Sequence, residues 1–125
     1  MAIEILYVSD VLGRRPTEVA TEWQAAGRVV PEYSLELVAG VERDREVIDG
    51  MLASHSEGWP LHRMTVVDRN ILRVACHELR SGLPVGVVAN EAVEMANELS
   101  TEDSGRFVNG VLGRIAKEGS AETEA

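Results

Sequence analysis

The sequence predicts an all-α domain, and three observations carry that expectation. Nearly every periodic segment repeats its apolar residues at helical spacing. Strand signals are confined to Val29-Val30 and the run from Val85 to Val88, both short and embedded in helical context. The 125 residues are 45% hydrophobic but only 4% aromatic, so aliphatic side chains and alanine must fill the core of what is, by length, one domain.

Met1 to Leu12 reads as the first helix, closed by Gly13. Arg14-Arg15-Pro16 is a connection, and Thr17 is expected to cap a second helix through about Ala26, with Gly27 as its stop. Pro31 precedes a longer helix, Glu32 to Ser54, whose charged run from Glu42 to Glu46 reads as a solvated face. Gly58-Trp59-Pro60 punctuates the middle of the chain, and Leu61 to Met64 makes one short turn. Trp23 and Trp59 read as packing or hinge anchors rather than platforms for a base. Thr65 caps a helix through Arg80, with Asp68 completing a pattern like a capping box.

Val67, Ile71, Leu72, Val74, Ala75 and Leu79 cover so wide an arc of that helix that it belongs at the centre. Glu78 and Asp68 both fall inside the arc, and a buried acid needs a partner, expected among arginines of neighbouring helices. Asp68, in the first turn, is free to stay at the surface. After Ser81 to Pro84 comes a helix from Val85 to Leu99, with Val85, Val88, Ala92, Met95, Ala96 and Leu99 on its apolar side. Ser100 to Asp103 turns into the last helix, capped by Ser104, with Glu102 and Asp103 at its positive end. Val108, Val111, Leu112 and Ile115 are its core stripe. Two helical halves are thus expected to meet near Gly58 in one domain over residues 1–118. Residues 119–125 are expected to form a disordered acidic tail.

Little in the chain suggests catalysis. Asp68 and Glu78 lie ten positions apart on one helix. At about 15 Å along the axis they are too distant to work as a hydrolytic pair. His55, His62 and His77 have no metal-binding spacing, and no phosphate-binding glycine loop occurs. Cys76 and His77 point about a hundred degrees apart on a helix, so Cys76 reads as a packing residue. The expectation is a protein that is not an enzyme and uses no cofactor and no metal. No apolar run is long enough to span a membrane, no secretory signal is visible, and the lone cysteine suits a reduced, cytoplasmic setting.

Binding is better supported. Phe107 lies on the flank of the last helix's core stripe, beside Asp103, Gly110 and Arg114, with Arg106 and Lys117 further round. An aromatic beside cations, with a glycine leaving room, is a seat for an unpaired base. The net charge of −9 argues against indiscriminate coating of RNA, so a local basic patch or a basic partner must share the phosphates.

The stretch from Glu102 to Gly113, E-D-S-G-R-F-V-N-G-V-L-G, resembles the signature near the end of the NusB family of bacterial transcription antitermination factors. Val67 to Arg73 followed by His77-Glu78-Leu79 is similar to the family's core helix. Pro84-Val85 with Asn90 to Ala96 is similar to the next helix, and Ile5-Leu6-Tyr7 to the first. The resemblance covers the chain to about Lys117. It implies two small helical bundles sharing one core. It also implies binding of the boxA segment of nascent RNA together with ribosomal protein NusE, within a complex that keeps RNA polymerase from terminating in ribosomal RNA operons. It assigns Asp103, Arg106 and Phe107 to the RNA side, where the residue pattern adds Arg114, and it assigns Tyr7 and Asp68 to the NusE contact. Family members usually carry an arginine-rich segment ahead of the first helix, whereas here no basic residue precedes Arg14. Either the natural start lies upstream of Met1, or RNA binding by this chain alone is expected to be weak. A second reading keeps the helices as a protein-interaction module that forms a homodimer or docks a ribosomal protein, with RNA contact reduced or lost. A similar helical domain precedes the catalytic part of some ribosomal RNA cytosine methyltransferases, but with no cofactor loop in this chain methyl transfer is not expected.

Overall fold

In the computed structural model, the backbone is described for residues 1–124 and side chains for residues 1–118. The described residues form α1 (Ala2–Leu12), α2 (Pro16–Ala25), α3 (Glu32–Arg43), α4 (Arg45–His55), a 3-10 turn (Leu61–Arg63), α5 (Val66–Arg80), α6 (Val85–Leu99) and α7 (Glu102–Glu124). The tail expected over residues 119–125 lies outside the described side chains.

Gly13 ends α1 in the left-handed conformation, at φ 67° and ψ 33°. Such a stop is cheap only for glycine. Pro16, not Thr17, opens α2, because proline's fixed φ suits a first helical position. The Thr17 hydroxyl is spent elsewhere, donating to the Glu42 carboxylate at 2.8 Å and so tying α2 to α3.

The long helix expected over 32–54 is two helices, broken at Asp44 (φ −104°, ψ 22°). Glu42 to Glu46 contains no apolar side chain to hold a continuous helix on the core. The break leaves Asp44 paired with Arg43 (2.8 Å) and Arg80 (3.3 Å), and Arg45 within 3.5 Å of Asp10. The charged run is therefore a junction held by ion pairs rather than only a solvated face.

Thr65 caps α5 as expected, its hydroxyl accepting the Asp68 N–H at 3.1 Å. Ile71, Leu72 and Cys76 are fully buried, and α5 packs against α1 and α3 on one side and α4, α6 and α7 on another. It is the element shared by two small bundles, α1–α3 and α4 with α6 and α7. The division thus falls at Asp44, not near Gly58. Arg73, 4% exposed, joins both bundles through Asp10 of α1 (3.1 Å) and Asp49 of α4 (2.8 Å). Buried Glu78 takes its hydrogen bond from the Tyr33 hydroxyl at 2.5 Å rather than from an arginine.

Only the centre of the expected α6 stripe is buried. Val88, Ala92 and Ala96 pack inward, while Val85 and Leu99 at its ends are exposed. The cap of α7 is Thr101, whose hydroxyl accepts the Ser104 N–H at 3.1 Å. Ser104, expected as the cap, lies one turn inside the helix and is buried.

Candidate nucleic-acid interface

The stretch of α7 from Asp103 to Arg114 forms one wall of a groove, and the segment from Ser56 to Thr65 forms the other. The groove encloses about 620 Å³. Asp103, Arg106, Phe107, Gly110 and Arg114 line it from α7, so the four residues singled out on that helix do converge. The Phe107 ring is half-buried, packed on the core along one side and open to the groove on the other. It is therefore less exposed than its position on the helix wheel suggested. Gly110 keeps the next turn low, and the Arg114 guanidinium passes within 3.4 Å of where a Cβ would stand.

The cations differ in how firmly they are held. Arg114 donates to the His55 carbonyl at 2.6 Å and lies 3.3 Å from Glu57, so it is anchored. Arg106 pairs with Asp103 one turn back, both fully in solvent, an arrangement that exchanges easily for phosphate. Arg63 is exposed, lines the opposite wall, and its guanidinium has no partner among the described residues. Lys117 is exposed and does not line the groove.

Asp68 sits at the groove's floor. Contrary to expectation it is buried, at 7% exposure. Its Oδ2 accepts the Ser104 hydroxyl at 2.9 Å, while Oδ1 is buried with no hydrogen-bond partner. An unpaired buried carboxylate oxygen is costly, and this one lies beneath the floor of the groove that Asp68 helps to line. Tyr7 is 44% exposed on α1 and is not part of this groove.

Two residues escaped the pattern. Trp59 was expected to be a packing or hinge anchor, yet it is 48% exposed and faces the groove with Arg63. The signal for it was the Trp-Pro step, which places the indole outside any regular helix and leaves no helical neighbours to cover it. Trp23 does behave as an anchor, half-buried with the Arg28 guanidinium 3.7 Å over its ring. Cys76 is buried, and burial pushes its thiol up to about 11, as for an inert packing residue. Among the described residues no group of three His, Cys, Asp or Glu is placed to hold a metal ion.

A sequence profile described as the NusB family matches residues 1–117. The chain belongs to the NusB family. The transcription antitermination protein NusB of Saccharopolyspora erythraea is 43% identical over 120 residues, covering 92% of this chain and 81% of that protein. The NusB of Salinispora tropica is 42% identical over 122 residues, covering 93% and 90%. Among solved structures, NusB of T. maritima superposes with a TM-score of 0.82 at 33% identity, covering 94% of this chain and 86% of that one. A chain from the crystal structure of antitermination factors NusB and NusE in complex with dsRNA superposes with a TM-score of 0.79 at 32% identity, covering 94% and 91%. NusB proteins are transcription antitermination factors rather than enzymes. No helix among the described residues is long and apolar enough to cross a membrane.

Proposed function

We propose that this chain is an RNA-binding transcription antitermination factor that takes the boxA segment of ribosomal RNA operon transcripts together with ribosomal protein NusE. It works in the cytoplasm, within the antitermination complex on RNA polymerase. The observation that carries the proposal is the half-buried Phe107 ring, rigid on its core side and open on its groove side beside Arg63, Arg106 and Arg114. An unpaired base stacks on the open side, worth about 1–3 kcal/mol. Arg63 takes a phosphate directly, and Arg106 takes one by leaving Asp103.

Asp68 serves the protein partner. The family resemblance supports that role, and the residue lies on the lining of the groove at the foot of α7. Tyr7 offers an exposed hydroxyl and ring to the same partner from α1.

The test is a titration of boxA-like single-stranded RNA against wild type and Phe107→Ala, each with and without NusE. The variant is expected to bind between about five- and 160-fold more weakly, matching the loss of one stacked base. Equal affinity for a scrambled RNA, or unchanged binding by the variant, would overturn the proposal. Asp68→Asn and Tyr7→Ala are expected to weaken NusE binding while leaving RNA binding without NusE close to wild type.

A further inference from the structure

A second groove runs between α6 and the first turns of α7, enclosing about 680 Å³. Its chemistry differs from the first. Three asparagines, Asn90 and Asn97 of α6 and Asn109 of α7, line it, all exposed and with no side-chain hydrogen bond among the described residues. Gly105 makes room at the floor, where an added methyl group would overlap the Asn97 carboxamide. Glu102 is the one acid on its lining and Arg106, paired with Asp103, the one base.

Charge makes this lining unusual for the molecule. The chain carries −9, yet Glu91, Glu94 and Glu98 of α6 form their own exposed stripe outside the groove. The surface of α6 is thus sorted into a carboxylate stripe that repels a polyanion and a neutral carboxamide stripe that does not. Arg106 lines both grooves, so they meet at that residue.

We infer that the α6–α7 groove is a second track for the same RNA strand, in which Asn90, Asn97 and Asn109 hydrogen-bond the edges of unpaired bases flanking the one stacked on Phe107. The inference rests on the RNA-binding reading of the first groove. A carboxamide presents a donor and an acceptor side by side, matching paired donor and acceptor positions on a base edge. No phosphate neutralisation is required from these residues. Arg106 holds the phosphate at the crossing between the tracks, and the asparagines supply sequence readout without adding positive charge.

The experiment compares a short boxA-like RNA, sufficient for the Phe107 groove alone, with the same RNA extended by unpaired nucleotides at each end. Wild type is expected to bind the extended RNA roughly tenfold more tightly. The triple variant Asn90→Ala, Asn97→Ala, Asn109→Ala is expected to lose that gain while binding the short RNA as wild type does. Gly105→Ala, which displaces Asn97 without removing it, is expected to lose part of the gain. In parallel, the side-chain amide NMR resonances of the three asparagines are expected to shift with the extended RNA and not with the short one. Equal binding of both RNAs by wild type, a triple variant that keeps the gain, or unshifted asparagine amides each overturn the second track. Failure of wild type to bind the short RNA counts instead against the Phe107 groove, and the amide shifts still decide on the asparagines.

Discussion

Replacing Ser104 by alanine removes the hydroxyl that donates to Asp68 and leaves that buried carboxylate with no side-chain donor. The expected cost is about 1–3 kcal/mol in urea unfolding, with helix content unchanged. Unaltered stability would show that water already satisfies Asp68. The sequence could not assign this role. Thr101 and Ser104 are both good caps, and the choice is made by a tertiary partner 36 positions away. His55 provides a second residue-scale prediction. Its Nδ1 bonds to the Met51 carbonyl at 2.6 Å, and its Nε2 meets Glu118 of α7. The Met51 bond raises its pKa, burial opposes, and Glu118 adds to the rise. A folded value above the unfolded one of about 6.5 means the protonated ring stabilises the fold fully below that pH. That contribution fades as pH climbs through the folded value. The gap in unfolding free energy between wild type and His55→Ala is therefore expected to shrink as pH rises, and a gap that widens would contradict stabilisation by the bonds to Met51 and Glu118.

Helix positions were readable wherever the core imposed its period, because burial of Ile71, Leu72, Val108, Val111 and Leu112 repeats at helical spacing. The α3–α4 break was not readable. A run of charged residues looks alike in a continuous helix and across a junction, and only contacts with Asp10 and Arg80 distinguish them. The joints between elements are where strain can be tested. Gly40 lets α3 cross α5 with the His77 ring lying against its backbone, so a methyl group there would overlap the imidazole. Gly40→Ala is expected to lower stability by about 1–3 kcal/mol, read as a fall in the thermal midpoint. Arg73 is the other joint, linking α1, α4 and α5 from a buried position. Arg73→Ala is expected to cost about 3 kcal/mol, the lower end for a broken buried pair, since Asp10 keeps Arg69 and Asn70. Burial pushes the Asp10 carboxyl up, but the bond from Arg69 and the charges of Arg73 and Arg69 outweigh it and hold the group below its ordinary value. The stabilisation from this joint is therefore present above about pH 4 and is expected to be lost as pH falls through the depressed value.

For the molecule as a whole, the fold class and one wall of the site were legible because both are written along single helices. Asp103, Arg106, Phe107 and Arg114 recur every turn or so of α7 and needed no tertiary information to be grouped. The opposite wall was not legible, since Trp59 and Arg63 reach the groove only when the 3-10 turn folds back against α7. That two-sided construction bears on how an acidic protein holds a polyanion. The cations on the groove are Arg63, Arg106 and Arg114, and Arg114 is already committed to His55 and Glu57. About two phosphates can then be neutralised, which sets the slope of log K against log salt near −1.4 for single-stranded RNA, at about −0.7 for each contact. Affinity must come mainly from stacking and hydrogen bonding, which salt screens little. Measured across a salt series, binding by this chain alone is expected to weaken only about sevenfold between about 50 and 200 mM salt. A basic partner seated beside the groove adds its own phosphate contacts, so the slope with NusE present is expected to steepen. A steep slope without the partner would mean that phosphate contacts outside the groove dominate, and stacking on Phe107 would then be the minor term.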